Sequence, residues 1–339
     1  MAIYEKGLCS VCCLGYKHAD FLEKTIRSIW EGEYKRVEII AVDDGSNDGS
    51  AELLRALAAD SPCPMTVVVQ ENTGRVSKNL NIALKKARGE YVSFIALDDY
   101  LYPEALSKKI AMMSDDERIA FVGNASITGV LADGVLVEEN FSSMMTTTPS
   151  IEYLIELEYE NLHSIFLQGF VVRKEIVDNI GGFDEDLTGD DIVLRTKLYR
   201  YIEKHPEYNF VIFNEPACYY RLHGGNVHKN PLRQMRIASE YLARYWPERE
   251  PPEVYVKWFQ HAITVTSFEE YVKELAFNSV SSRLLLEPRI QQAIKKSLNP
   301  VPPKRKRWFK WPEWIFHKKR DGSKRTVKLF SIVKWTYNK

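Results

Sequence analysis

The chain has 339 residues, 45% hydrophobic and 27% charged, a composition that excludes a disordered or fibrous protein and fits a globular one. Its formal charge is zero, yet residues 304–339 carry 13 Lys/Arg against Glu313 and Asp321, leaving residues 1–303 with 33 basic and 44 acidic side chains. No secretory leader stands out and no uncharged run approaches the roughly 18–20 residues that span a bilayer, so a soluble or peripheral cytoplasmic protein is expected.

The first 125 residues alternate strand and helix patterns. LCSVCCLG (8–15) reads as an apolar strand, and Phe21–Trp30 has helical spacing. VEIIAVDD (37–44) is a second strand, after which Asp48 offers an N-cap for a helix through Ala59. MTVVVQ (65–70) is a third strand, followed by a helix from about Val76 to Ala87. YVSFIAL (91–97) is the fourth, Pro103–Met113 a helix, and IAFVGN (119–124) the fifth strand. These repeated β-α units predict an α/β fold with a mostly parallel central sheet flanked by helices. Beyond residue 125 a hairpin is expected to turn at Asp133-Gly134, with a helix over 150–160. Residues 167–187 contain a short strand, a helix and a glycine turn; Asp191–Lys204 is a helix; 210–223 hold two short strands. Helices fill 231–298, and NPVPP (299–303) breaks the chain before the tail.

Two features invite a chemical reading. Cys9-x-x-Cys12-Cys13 has half the spacing of a metal or redox motif, but it sits in an apolar strand without a second pair. Buried thiols in a reducing compartment are the expected state of these and of Cys63 and Cys218. The second feature is stronger. Two strands end in paired acids, Asp43-Asp44 and Asp98-Asp99. Ligands of parallel α/β sheets bind beyond the carboxyl ends of the strands. Neither a G-x-G-x-x-G nor a G-x-x-x-x-G-K-S/T loop is present to hold phosphate. Carboxylates there would repel a diphosphate unless a cation lay between, and Mg²⁺ or Mn²⁺ takes such oxygen ligands. A turn or helix cap is the bland alternative for either pair alone.

At this point the chain resembles the family 2 glycosyltransferases of the GT-A fold. The resemblance runs over about 8–230, through SVCCLGYKHADFLEKTIRSI, VEIIAVDDGSNDGS, ENTGRVSKNLNIALKKARGEYVSFIALDDYLYPEAL and GGFDEDLTGDDIVLRTKL, in that order. It implies a catalytic domain over 1–230, with a nucleotide-sugar half to about 125 and an acceptor half after it. A helical region over 231–298 and a tail over 299–339 would follow. It implies that Tyr16 and Asp44, with Asp43 beside it, contact the nucleotide base, and that Arg75 and Lys78 lie near the nucleotide. Asp98 and Asp99 match the acidic pair that meets ribose and the metal-diphosphate. Asp191 matches the catalytic base, with Asp190 in place of the usual glutamate. His223 resembles a histidine that completes the metal site in some members. Leu14, Lys17 and Ala96 depart from the family's common residues.

The chemistry implied is inverting transfer of a hexosyl or N-acetylhexosaminyl group from a UDP-sugar to a hydroxyl of a glycan or lipid-linked saccharide, in bacterial-type surface polysaccharide synthesis. A hydroxyl needs a base to take its proton as it attacks, the role of Asp191, and Mn²⁺ or Mg²⁺ would neutralise the leaving diphosphate. Asp190 is the alternative base, and an N-terminal helix carboxylate is the bland reading of Asp191. Arg221, Gly224, Gly225, His228 and Lys229 suggest a loop that closes on the diphosphate. A nucleotidyltransferase and a non-catalytic nucleotide- or glycan-binding module are the competing functions. The tail interleaves basic residues with Trp308, Phe309, Trp311, Trp314, Phe316, Phe330 and Trp335. That mixture suits an anionic membrane surface through 304–339, on the cytoplasmic face of an inner membrane. Nucleic acid, or a helix packed on the body, are its lesser alternatives.

Overall fold

The computed structural model describes residues 4–131, 135–141, 149–226, 230–266, 270, 273, 278–298, 316–321, 324–329 and 333–338. The order begins β1 (Glu5–Gly15), α1 (Leu22–Trp30), β2 (Val37–Asp43), α2 (Ser50–Ala59), β3 (Met65–Val69), α3 (Val76–Lys86), β4 (Gly89–Ala96). It continues β5 (Tyr100–Leu101), α4 (Ala105–Asp115), β6 (Ile119–Asn124), β7 (Ser126–Leu131), β8 (Leu136–Phe141), α5 (Ile151–Glu160), β9 (Phe166–Arg173), α6 (Lys174–Asn179), α7 (Asp191–Lys204). After β10 (Asn209–Phe213) and β11 (Cys218–Leu222) come α8 (Pro231–Tyr245), α9 (Glu253–Val265), α10 (Ser279–Leu284) and α11 (Pro288–Leu298). Strands β12 (Phe316–Asp321), β13 (Lys324–Leu329) and β14 (Val333–Asn338) follow.

Seven strands form the central sheet in the order β10-β6-β9-β4-β1-β2-β3. The first-half strands pair in parallel as the β-α rhythm requires. The exception is β9, which runs antiparallel between β4 and β6. Side chains alternate across the sheet, and both faces are covered. Cys9, Val11 and Cys13 of β1, with Tyr91 and Ile95 of β4, join one apolar layer with Ile26, Leu54 and Ile110. Cys12, Val92 and Phe94 face the other, with Leu80, Leu157, Ile176 and Leu198. Burial on both faces explains why these strands read as unbroken apolar runs. The five cysteines are free and four of them are buried; burial pushes the Cys9 thiol up to about 12.

A second sheet, β5-β11-β7-β8, is linked to the first through the short turn between β4 and β5 that contains Asp98-Asp99. Its short strand β5 follows Asp98-Asp99 directly and pairs antiparallel with β11, a pairing the sequence did not announce. The expected hairpin is β7–β8; its turn at Asp133-Gly134 lies outside the described residues. A third apolar cluster joins Ile192 and Val193 of α7 to Met235, Tyr241 and Leu242 of α8 and to Tyr255 and Phe259 of α9. The helices after residue 230 are thus packed on the helix that carries Asp191. In the tail, β12, β13 and β14 form an antiparallel sheet, with β14 beside β8. Residues 304–315 lie outside the described residues. Among the described residues no helix is long and apolar enough to cross a membrane.

Candidate active site

Register places the site. Leu14 of β1 pairs with Ala96 of β4, and Gly15 with Asp43 of β2, so three parallel strands end at one level. Tyr16, Asp44 and Asp98 leave the sheet there. Gly15 is required by close approach: a Cβ on it would lie 2.8 Å from Leu97 Cδ1 and 2.9 Å from Leu97 Cβ. The Asp98-Asp99 turn is held from beneath by α1, whose Thr25 hydroxyl donates to the carbonyls of Leu97 and Asp99.

Strand β11 locks the same turn from the side. The Arg221 amide donates to Asp99 Oδ1 at 2.9 Å and the Arg221 guanidinium to the Asp98 carbonyl at 2.6 Å. That guanidinium lies over the rings of Phe21 and Tyr100. Arg221 is therefore buried scaffold, and not part of a loop free to close on phosphate; His228 and Lys229 of that expected loop lie outside the described residues. Two residues on, His223 Nε2 lies 2.9 Å from Asp98 Oδ2. Asn226 fixes the bend by accepting from the His223 amide and donating to the Arg221 carbonyl.

His18, which the sequence reading did not single out, completes the cluster. Its Nε2 is 3.7 Å from the same Asp98 oxygen, and the ligand atoms of His18, Asp98 and His223 all lie within 4.8 Å of one another. The loop after β2 holds His18 in place. The amides of Lys17, His18 and Ala19 donate to Ser46, Ser50 and Asp48 respectively. Burial holds the His18 pKa below its ordinary value, which favours the neutral imidazole that binds metals. For Asp98, burial works against the charge, but the His223 hydrogen bond and the two imidazoles outweigh it and lower the pKa. Asp99 behaves in the opposite way. Burial and the neighbouring Asp98 push its carboxyl well above the usual range, and it stands outside the three-residue cluster.

Asp44 lines the cleft while organising the next loop. Its Oδ1 accepts from the Gln70 side chain and from the amide and hydroxyl of Thr73, and its Oδ2 accepts from the Gly74 amide. Asp43 is fully buried and bonded to the amide and hydroxyl of Ser46, so it reaches no ligand space. Tyr16 is exposed on the rim of the cleft. Arg75 and Lys78 are exposed and do not line the cleft; Arg75 instead donates to the Glu185 carbonyl.

Across the cleft, α7 begins at Asp191. Both Asp190 and Asp191 line the cleft; Asp190 makes no side-chain cap bond, and Asp191 stands in the first turn of the helix. Asp191 is 37% exposed on its side chain, 3.9 Å from Arg195. Arg195 is itself held by Glu158 through bonds of 2.6 and 3.2 Å. The recessed position and the adjacent Asp190 push the Asp191 carboxyl well above the usual range, with Arg195 opposing. The cleft has a volume of about 780 Å³, and α8 and α9 supply its far wall through Arg233, Gln234, Ile237 and Trp258.

Residues 10–181 match the profile of Glycosyl transferase family 2. The chain belongs to glycosyltransferase family 2. This family 2 chain is 26% identical over 277 residues to poly-beta-1,6-N-acetyl-D-glucosamine synthase of Staphylococcus aureus, covering 77% of this chain and 57% of the synthase. It spans less than two thirds of the length of the curated relatives it matches. Among solved structures it resembles S. aureus TarS 1–349 in complex with UDP-GlcNAc, at 19% identity and a TM-score of 0.54, over 87% of this chain and 82% of that one. It also resembles the mannosyltransferase PcManGT from Pyrobaculum calidifontis in complex with GDP-Man and Mn²⁺, at 16% identity and a TM-score of 0.53, over 86% and 84% of the two chains. The mostly parallel α/β core expected from the GT-A resemblance is the architecture observed.

Proposed function

We propose that this family 2 chain is an inverting, metal-dependent glycosyltransferase. It moves a sugar from a UDP-sugar to a hydroxyl of a glycan or lipid-linked saccharide acceptor in surface polysaccharide synthesis. The observation that carries the proposal is the shared cleft: His18 and Asp98, the latter bonded to His223, line it together with Asp191. The UDP-GlcNAc bound by TarS and the Mn²⁺ bound by PcManGT support the choice of donor and cofactor. The S. aureus synthase supports the polysaccharide setting.

Each residue has a physical task in this reading. Tyr16 offers an exposed ring for the uracil to stack on. Asp44, whose Oδ2 receives one internal bond, retains a lone pair for the uracil N3–H. Asp98, His223 and His18 form a mixed oxygen and nitrogen set that fits Mn²⁺ better than Mg²⁺. A cation held there would neutralise charge on the diphosphate as it leaves. Asp99 braces the turn through Arg221. Asp191 takes the proton of the attacking hydroxyl. Arg195, anchored by Glu158, fixes where that base sits. One base on the face opposite the leaving group gives inversion. The basic tail would bring the cleft to acceptors at an anionic membrane surface.

UDP release from a panel of UDP-sugars, with Mn²⁺, Mg²⁺ or EDTA, tests this directly, since water serves as a slow acceptor. Release from one sugar is expected, abolished by EDTA and reduced at least about 100-fold in Asp98→Ala and Asp191→Asn. Turnover that survives EDTA and both substitutions would overturn the assignment.

A further inference from the structure

His163 lies in the same cleft and has no role in the reading above. It sits between α5 and β9 and lines the cleft together with Asp191, Arg195 and Trp258. Its Nε2 is sealed from solvent and has no hydrogen-bond partner. A buried polar nitrogen without a partner is costly and calls for an explanation. Its ring packs edge-on against Phe166, with centroids 5.0 Å apart, so its direction is fixed.

The backbone strengthens the case. Among the described residues, the two non-glycine residues with positive φ are Lys17 at +59° and Leu162 at +55°. Each stands immediately before a cleft histidine, His18 and His163. A left-handed conformation is unfavourable for an ordinary L-residue and persists where surrounding structure demands it. In both places the cost falls on the residue just before a cleft-lining histidine.

The chemistry of the group narrows the ligand. Burial, with Arg195 nearby, pushes the His163 pKa down to about 3, so the ring is neutral. Its Nε2 either donates or accepts, depending on tautomer. A hydroxyl satisfies both cases, whereas an anion or a cation satisfies only one. In an inverting displacement the ring of the transferred sugar lies between the diphosphate and the base, which places its hydroxyls beside Asp191.

We propose that His163 is a sugar-contacting residue whose Nε2, covered here by its neighbours, is uncovered by a small shift of the cleft lining and hydrogen-bonds a ring hydroxyl of the sugar being transferred. This rests on the transferase reading above. The test compares wild type, His163→Ala and His163→Gln in UDP release from the accepted UDP-sugar with water as acceptor, alongside UDP affinity and Tm. His163→Ala is expected to lower kcat/KM by about tenfold or more, with UDP affinity unchanged within about twofold, because UDP lacks the sugar. His163→Gln, which keeps a hydrogen-bonding group, is expected to recover most of the loss. Unchanged kcat/KM in His163→Ala overturns the assignment, as does a loss confined to Tm or shared equally by UDP binding. No release by wild type from any UDP-sugar overturns the transferase reading itself, and this proposal with it.

Discussion

Single residues carry most of the chemistry, and burial sets their behaviour. Asp98 and Asp99 are adjacent and both buried, yet their pKa values move in opposite directions. Two imidazoles beside one and none beside the other decide this. Lys109 is a clearer isolated case. It is fully buried, donates to the Gly169 carbonyl, and burial lowers its pKa to about 7. Between pH 7 and its unfolded value near 10.5, the unfolded chain binds the proton and the folded chain does not. Stability therefore rises with pH across that window, and below pH 7 the penalty is fully present. Other buried groups titrate there, so the measurement is the difference in unfolding free energy between wild type and Lys109→Met. The variant is expected to be more stable at pH 7 by about 2 kcal/mol, after the lost carbonyl hydrogen bond is set against the removed charge. That advantage should shrink by pH 10; a constant difference across the range would contradict the buried-amine account.

At the scale of elements, the decisive packing is that of α8 and α9 on α7. The sequence places a helical region after residue 230, but periodicity says nothing about which surface it covers. In the structure Phe259 and Tyr241 close over Ile192 and Val193, one and two residues from Asp191. Phe259→Ala is expected to cost about 3–5 kcal/mol and to lower UDP-release activity as well, because the cleft wall that includes Trp258 loses its support. Thermal unfolding and the release assay on the same preparation check this. Full activity with a lowered Tm would show that α9 stabilises the fold without shaping the cleft. The motif VDDGSNDGS gives a second lesson at this scale. Asp44 lines the cleft, whereas Asp43, Ser46, Asp48 and Ser50 are engaged in holding the turns at 17–19 and 44–46. Only the three-dimensional bonding separates those two tasks.

For the molecule as a whole, charge segregation is the strongest uncommitted feature. The basic tail and acidic body predict binding to vesicles containing anionic lipid and none to zwitterionic ones. Raising salt from about 0.1 to 0.5 M should release the protein, because screening shortens the reach of the basic side chains. Flotation of the full chain checks this, and equal binding to both vesicle types would count against an electrostatic tail.

The β-α rhythm was legible in local pattern, because strands covered on both faces must be apolar at every position and the helices between them amphipathic. Asp98 was legible in the same way, as an acid at a strand end, whereas Asp191 and His223 became candidates only through the resemblance to family 2 glycosyltransferases. The tertiary structure decided which groups meet. His18 joins Asp98 through the register of β1 on β4, and His223 joins them through the pairing of β5 with β11. His18 was legible in principle, as a histidine two residues beyond Tyr16 at a strand's carboxyl end. Arg75 and Lys78 carried the right charge in the right segment, but their helix start turns them to the outer surface. His163 had no sequence signal, since a histidine between a helix and a strand is ordinary until its nitrogen is found buried and unbonded in a residue of the cleft lining. Local sequence fixes what a segment can be; convergence of distant side chains on one cleft depends on strand register and helix docking, which no local window contains.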